Sequence, residues 1–268
     1  GETHNLTYSN DIYIYNVITK IWTKIIININ LPMPKERAAH ASACDNNYNM
    51  MIYGGSTSNG GLADNQIWIL HLDKNDYNKG IWENYPTIGP NPGQRYGHSL
   101  IYMKGYYVLF GGNINPSLSN DVWIIEIKNK NSNNSNNWKK ICFENGVAPS
   151  SRLYHTCCIY IKDEKENMMI YGGRDSNENP LNDIWGLSSD KNNNWNWERY
   201  PVKNNDEMVP RYNHSMVLFN DILIILGGRC QHRSTPIPIE IYNISNNEMY
   251  KFGGICLNRQ VNFLYELN

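Results

Sequence analysis

Short unbroken apolar runs, each closed by a glycine pair, punctuate an otherwise polar chain. They are Met50-Met51-Ile52-Tyr53 before Gly54-Gly55, Tyr107-Val108-Leu109-Phe110 before Gly111-Gly112, Met168-Met169-Ile170-Tyr171 before Gly172-Gly173, and Leu223-Ile224-Ile225-Leu226 before Gly227-Gly228. A fifth, Met249-Tyr250-Lys251-Phe252, precedes Gly253-Gly254. Runs this short and this continuous predict strands buried on both faces. The glycine pair predicts a sharp turn at angles that a Cβ would resist. Each of the first four runs follows an Arg-x-x-His segment: Arg37/His40, Arg95/His98, Arg152/His155 and Arg211/His214, with arginine spacings of 58, 57 and 59. After the glycines come a loop and a polar-aromatic strand, Asn65-Gln66-Ile67-Trp68, Asp121-Val122-Trp123 or Asp183-Ile184-Trp185, and then a second tryptophan, Trp82, Trp138 or Trp197. Asp11-Ile12-Tyr13 and Trp22 fit these last two slots, so the chain starts partway through a unit.

A repeat of about 58 residues with four strand signals predicts a propeller blade, a twisted four-stranded antiparallel sheet that cannot bury both faces alone. The paired aromatics fill the wedge between neighbouring blades. In its order of Arg-x-x-His, Gly-Gly, Asp-x-Trp and Trp the chain resembles the kelch family, from residue 1 to about 267. The resemblance implies an all-β fold: a single kelch β-propeller over residues 1–268, with six blades of four antiparallel strands, some incomplete, or alternatively five. The repeat fails in one place. Gly228 and Gly254 are 26 residues apart, against 57, 61 and 55 between earlier pairs, and neither the tryptophan nor the next Arg-x-x-His is present. Met249 is therefore expected to begin a second strand. Roughly 30 residues, a disordered insertion and the strand beside it, are expected to be missing between about 245 and 249.

Several segments resemble one kelch group in particular: Arg37-Ala38-Ala39-His40, Pro92-Gly93-Gln94-Arg95-Tyr96-Gly97-His98, Gly172-Gly173-Arg174-Asp175 with Pro180-Leu181 and Gly186-Leu187, Trp195-Asn196-Trp197-Glu198, and Pro210-Arg211-Tyr212-Asn213-His214. They are similar to the N-terminal kelch region of kelch-domain Ser/Thr protein phosphatases, the plant brassinosteroid-signalling type with apicomplexan relatives. None of the metal-binding phosphatase segments Gly-Asp-x-His-Gly, Gly-Asp-x-x-Asp-Arg-Gly or Gly-Asn-His-Glu occurs. The resemblance implies a regulatory, non-enzymatic region of a larger metal-dependent phosphatase. Its partners would be phosphoproteins or regulators on the loop face, or the parent's own C-terminal phosphatase domain. The other readings are the substrate-recognition propeller of a cullin ubiquitin-ligase adaptor and, more distantly, an enzyme of the galactose-oxidase sort, whose copper site of Tyr, His and Cys is not apparent here.

Composition narrows the classes further. A net charge of -1 and a pI near 6.7 give no global field for nucleic acid or anionic membranes. No apolar run approaches the roughly 18 residues of a membrane span. Six cysteines without CxxC pairs are expected to be reduced and mostly buried, in a cytoplasmic or nuclear protein. The 42 asparagines favour loops and turns. Sequons at Asn5, Asn133, Asn213 and Asn243 are attributed to that abundance.

The candidate partner-binding residues fall into two sets. Arg37, Arg95, Arg152 and Arg211 belong to the repeat. They either present guanidiniums to a carboxylate or phosphate, or form salt bridges and hydrogen bonds to loop carbonyls inside the fold. Arg174, Asp175 and Arg229 follow glycine pairs and are not demanded by the repeat, and Tyr96, Tyr154 and Tyr212 follow the repeated arginines as aromatic anchors. The four repeated histidines are expected to cap strand starts rather than bind metal. No cofactor or catalytic residue is expected.

Overall fold

The computed structural model describes residues 7–128, 136–143, 146–203, 208–231 and 237–252. Every regular element among them is a β-strand, and the chain divides into two units, Gly1–Ser117 with Asp121–Ile141 and Leu118–Asn120 with Cys142–Asn268.

The first unit holds β1 (Tyr13–Asn16), β2 (Ile21–Lys24), β3 (Ile26–Ile27), β4 (Ala41–Cys44), β5 (Met50–Tyr53), β6 (Ile67–Leu72), β7 (Lys79–Tyr85), β8 (Ser99–Met103), β9 (Tyr106–Asn113), most of β10 (Leu118–Ile125) and β11 (Lys139–Ile141). β1 and β2 form a lone antiparallel pair. β4 to β7 pair in sequence order, with β3 added parallel to the outer strand β7, and β8 to β11 make a second four-stranded order. The second unit holds β12 (Thr156–Lys162), β13 (Lys165–Tyr171), β14 (Ile184–Ser189), β15 (Trp195–Tyr200), β16 (Ser215–Phe219), β17 (Ile222–Leu226), β18 (Ile239–Asn243) and β19 (Glu248–Phe252), in two four-stranded antiparallel sheets. These are blade-type sheets, and the glycine-closed runs are their second strands. Met168, Met169, Ile170 and Tyr171 are completely buried, as an unbroken apolar run requires.

The irregular last unit corrects the sequence reading. Met249 does not open a second strand. It lies in β19, paired antiparallel with β18 in the register Tyr242↔Met249, so β19 is the outer strand of the sheet that begins at β16. A tight turn closes the hairpin, with Asn247 N–H on Asn243 O at 2.8 Å and Ser245 N–H on the Asn243 side chain at 2.9 Å. Asn243 supplies the side-chain oxygen that caps this turn. The expected tryptophan is replaced. Glu240 stands opposite Ile225 as Trp185 stands opposite Ile170. Gly253 and Gly254 lie outside the described residues.

The glycine pairs do more than turn the chain. At Gly54 (φ +63°) a Cβ would lie 2.3 Å from Arg95 O and 2.8 Å from the His98 ring; at Gly172 (φ +64°) it would lie 2.5 Å from Arg211 O and 3.0 Å from the His214 ring. The first glycine thus makes room for the next sheet's Arg-x-x-His segment. The second donates its N–H to that segment: Gly55 to Arg95 O at 2.7 Å, Gly173 to Arg211 O at 2.9 Å. Sheets within a unit are therefore fastened by backbone as well as by apolar contact.

The histidines sit in these seams. His214 Nε2 meets Thr156 Oγ1 at 2.6 Å. Burial holds His155 and His214 at a pKa of about 3, against an ordinary 6.5, and lowers His40 to about 4. They are neutral in the folded protein near pH 7. Between pH 6.5 and about 3 the unfolded chain binds protons that the native His155 and His214 refuse, so stability must fall as pH falls through that window. Each contributes a slope of up to about 1.4 kcal/mol per pH unit. Urea midpoints at pH 7, 6 and 5 should drop progressively; a midpoint that is flat or rising toward pH 5 contradicts neutral burial.

The thiols correct a second expectation. Cys44 and Cys142 are exposed, and Cys157, Cys158 and Cys230 are half-buried. Cys158 is pushed up to about 12 by burial, so its thiol is unreactive. Cys256 lies outside the described residues.

Candidate functional site

The four repeated arginines are structural. All are buried, at 3% exposure or less, and each lies across its own sheet. Arg152 donates to Asp183 at 2.6 and 2.8 Å, to Gly172 O at 2.9 Å and to Ser150 O at 3.0 Å. Arg95 makes the same set with Asp121, Gly111 O and Pro92 O. Arg37 binds Asp64, Gly54 O and Lys35 O. Arg211 binds Glu240, Gly227 O and Val209 O. A buried guanidinium that gives most of its five donors to a carboxylate and backbone carbonyls is held in place by its own fold. The bonds of Arg37, Arg95, Arg152 and Arg211 are those of the internal reading, salt bridges and hydrogen bonds to loop carbonyls inside the fold.

The carboxylates are the part that the sequence reading missed. In two sheets the Asp of Asp-x-Trp is the arginine's partner and also accepts the tryptophan N–H, at 2.7 Å for Trp123 on Asp121 and for Trp185 on Asp183. The signal was an acid two residues before the aromatic. It is displaced where Asp64 and Glu240 serve. Burial pushes the Asp183 carboxyl up, but Arg152 and Trp185 outweigh it and hold it below the ordinary range.

The residue after each repeated arginine pairs with the residue after each glycine pair: Ala38 with Ser56, Tyr96 with Asn113, Leu153 with Arg174, Tyr212 with Arg229. Two loops are thereby clamped at the same end of each sheet. The next residue turns through positive φ: Ala39 at 52°, Gly97 at 67°, Tyr154 at 58°, Asn213 at 54°. Its carbonyl accepts the following sheet's N–H, Ala39 from Gly97 at 2.9 Å and Tyr154 from Asn213 at 3.0 Å. Tyr154 thus occupies a different slot from Tyr96 and Tyr212, one residue further on.

In the second unit this geometry collects four of the predicted residues. The rings of Tyr154 and Tyr212 stack with centroids 6.5 Å apart at 26°. The Arg174 guanidinium lies 5.5 Å over the Tyr212 ring. Its Nη1 reaches Glu178 at 3.4 Å, while its Nε is buried without a hydrogen-bond partner among the described residues. Arg229 is exposed and bonded through its backbone to Tyr212. Two aromatic faces and two guanidiniums suit an anionic group carried beside an apolar or aromatic one.

Two candidates fall elsewhere. Asp175 spends one carboxylate oxygen on the N–H groups of Asn177 and Asn179, at 2.9 and 2.8 Å, and the other on the Asn179 amide. It is a turn residue. Tyr96 lies in the first unit, where its hydroxyl accepts from Asn113 Nδ2 at 3.2 Å. Among the described residues no three His, Cys, Asp or Glu side chains gather as a metal site, and no helix is long and apolar enough to cross a membrane.

A family model described as the KLHDC2/KLHL20/DRC7 Kelch-repeats domain matches residues 1–136 and 131–237. Among curated proteins, Serine/threonine-protein phosphatase BSL2 of Arabidopsis thaliana is 28% identical over 219 residues, which is 81% of this chain and 20% of that protein. An F-box/kelch-repeat protein of the same plant is 28% identical over 70% of this chain and 38% of its own length. Host cell factor 2 of Homo sapiens is 25% identical over 84% of this chain and 28% of its own length. The chain therefore spans well under half the length of these relatives.

Proposed function

We propose, from the premise that this chain belongs to the kelch-repeat family, that it is the regulatory domain of a larger Ser/Thr protein phosphatase. On this reading it docks phosphorylated or acidic protein segments at the loops of its second unit. That the domain is a non-catalytic protein-interaction module follows from the family; the phosphatase parent and the phosphoprotein partner are the proposal. The similarity to BSL2 supports the parent. The docking chemistry is carried by one observation: Arg174 is held over Tyr212 with an unspent buried Nε, and Arg229, bonded through its backbone to Tyr212, is exposed. Arginine forks match phosphate and carboxylate oxygens, and the stacked tyrosines hold the neighbouring side chain.

Arg174→Ala with Arg229→Ala is expected to weaken binding to a phosphopeptide library at least tenfold, since each charge-assisted bond contributes about 1.5–3 kcal/mol. Binding of the unaltered protein should also fall with added salt. Unchanged affinity in the double variant, with an unchanged melting temperature, counts against the site. The similarity to an F-box/kelch-repeat protein supports a second reading, a substrate-recognition domain of a ubiquitin ligase. Co-purification of the native protein with cullin rather than with phosphatase activity would select it.

A further inference from the structure

The pattern Asp-x-Asn-X-Asn occurs three times in the chain, as Asp45-Asn46-Asn47-Tyr48-Asn49, Asp175-Ser176-Asn177-Glu178-Asn179 and Asp190-Lys191-Asn192-Asn193-Asn194. The three loops are built alike. One aspartate oxygen accepts the backbone N–H groups of both asparagines, and the other accepts the side-chain amide of the second. The residue between the asparagines is thereby turned to positive φ: 64° at Tyr48, 67° at Glu178 and 60° at Asn193. The loop asks nothing of that residue except the angle. Asparagine tolerates it, whereas glutamate is strained there.

At position 178 that side chain is a carboxylate, and its Oε1 lies 3.4 Å from Arg174 Nη1. Arg174 is fixed without it. Its N–H donates to Leu153 O at 2.9 Å, its carbonyl accepts the Leu153 N–H at 3.1 Å, and its guanidinium lies over the Tyr212 ring. The ion pair is also unlike those that brace the sheets. Asp183 accepts from the fully buried Arg152 at 2.6 and 2.8 Å, whereas the Glu178 side chain is 78% exposed and its contact is longer than a strong charge-assisted bond. A long, exposed pair of this kind adds little to stability. The strained glutamate therefore gives the fold nothing that an asparagine would not. What it does is place an anion on Arg174, where the docking reading needs the anion of a ligand.

We propose that Glu178 is the docking site's own competitor: its carboxylate occupies Arg174 when no ligand is bound, and the ligand's anionic group displaces it. This deepens the docking reading and rests on it. Displacement leaves the loop intact, because Asp175 keeps its bonds to Asn177 and Asn179 whether or not Glu178 touches Arg174. The released carboxylate is exposed already and returns to water. The weakness of the pair sets the size of the effect, so Glu178 tunes affinity and does not close the site. It also sharpens selection. An anion that offers charge alone exchanges one ion pair for another and gains little. A ligand that also covers the Tyr154 and Tyr212 rings has a second source of binding energy.

The test follows binding of phenyl phosphate, an anion carried on one aromatic ring, by NMR titration at low salt. Glu178→Gln is expected to tighten binding about two- to fivefold, the factor that matches an exposed ion pair. Glu178→Asn should tighten it equally and raise the melting temperature, since asparagine suits the angle as Asn193 does. Arg174→Ala should weaken binding, and adding Glu178→Gln to it should then change affinity by less than about 1.5-fold. If Arg174→Ala leaves binding unchanged, or the protein does not bind the probe, the docking reading falls and this proposal with it. If Arg174→Ala weakens binding but neither Glu178 variant tightens it, this proposal alone is overturned and the docking reading stands. Equal tightening by Glu178→Gln with and without Arg174 shows plain charge repulsion and overturns the competition as well.

Discussion

Arg152→Ala should lower the unfolding free energy by about 3–5 kcal/mol, a large part of the ~5–15 kcal/mol that holds a typical domain. Arg152 has no exposed surface, and its loss leaves the mostly buried Asp183 carboxylate and the Gly172 carbonyl without their guanidinium. The cost comes from the groups left behind. Arg152→Met with Asp183→Leu removes both charges and should recover a good part of the loss, as apolar replacements of buried ion pairs do. Urea unfolding of the two variants checks both statements. A single variant within about 1 kcal/mol of the parent would mean that Asp183 finds water or another donor, and the pair would then not be the brace described here.

Gly172→Ala and Gly227→Ala should differ sharply although they are the same change at the same backbone angle. At φ near +65° an alanine costs roughly 1–2 kcal/mol in either place. At Gly172 its Cβ also lies 2.5 Å from Arg211 O, a backbone atom that is fixed by the Gly173 N–H. Overpacking of that kind adds about 1–3 kcal/mol. In the 1–268 chain, Gly172→Ala should therefore lose roughly 2–5 kcal/mol and Gly227→Ala, with nothing within 4 Å of its Cβ position, no more than about 2. Equal losses would show that conformational strain alone explains the glycine pairs and that sheet contact plays no part.

Both predictions concern residues whose role was half legible beforehand. The apolar runs, the glycine pairs and the spacing near 58 residues are local facts, because burial on both faces and positive φ constrain residue type directly. They specified an all-β repeat, the second strand of each sheet, and the kelch resemblance that the family match bears out. The arginines were legible as repeated and not as spent. Whether a guanidinium faces a ligand or its own sheet depends on a carboxylate 26 to 31 residues away, and Asp64 and Glu240 stand at different offsets from the aromatic slot than Asp121 and Asp183.

The last sheet shows the same division. Its sequence departs from the repeat and suggested lost chain. Pairing makes Met249 an outer strand, and Glu240, one methylene longer than aspartate, reaches Arg211 from the tryptophan's position. In the candidate site, Arg174 and Arg229 could be named from the chain because the repeat does not demand them, and Tyr154 and Tyr212 because they follow the repeated arginines. Only the clamped loops and the positive φ of Tyr154 decided that they meet while Tyr96 and Asp175 do not. Periodicity and turn chemistry are written in neighbours along the chain, so the sequence by itself determined the strands and their order. Which charges are satisfied and which rings touch depend on residues far apart in it, and the tertiary structure decided those.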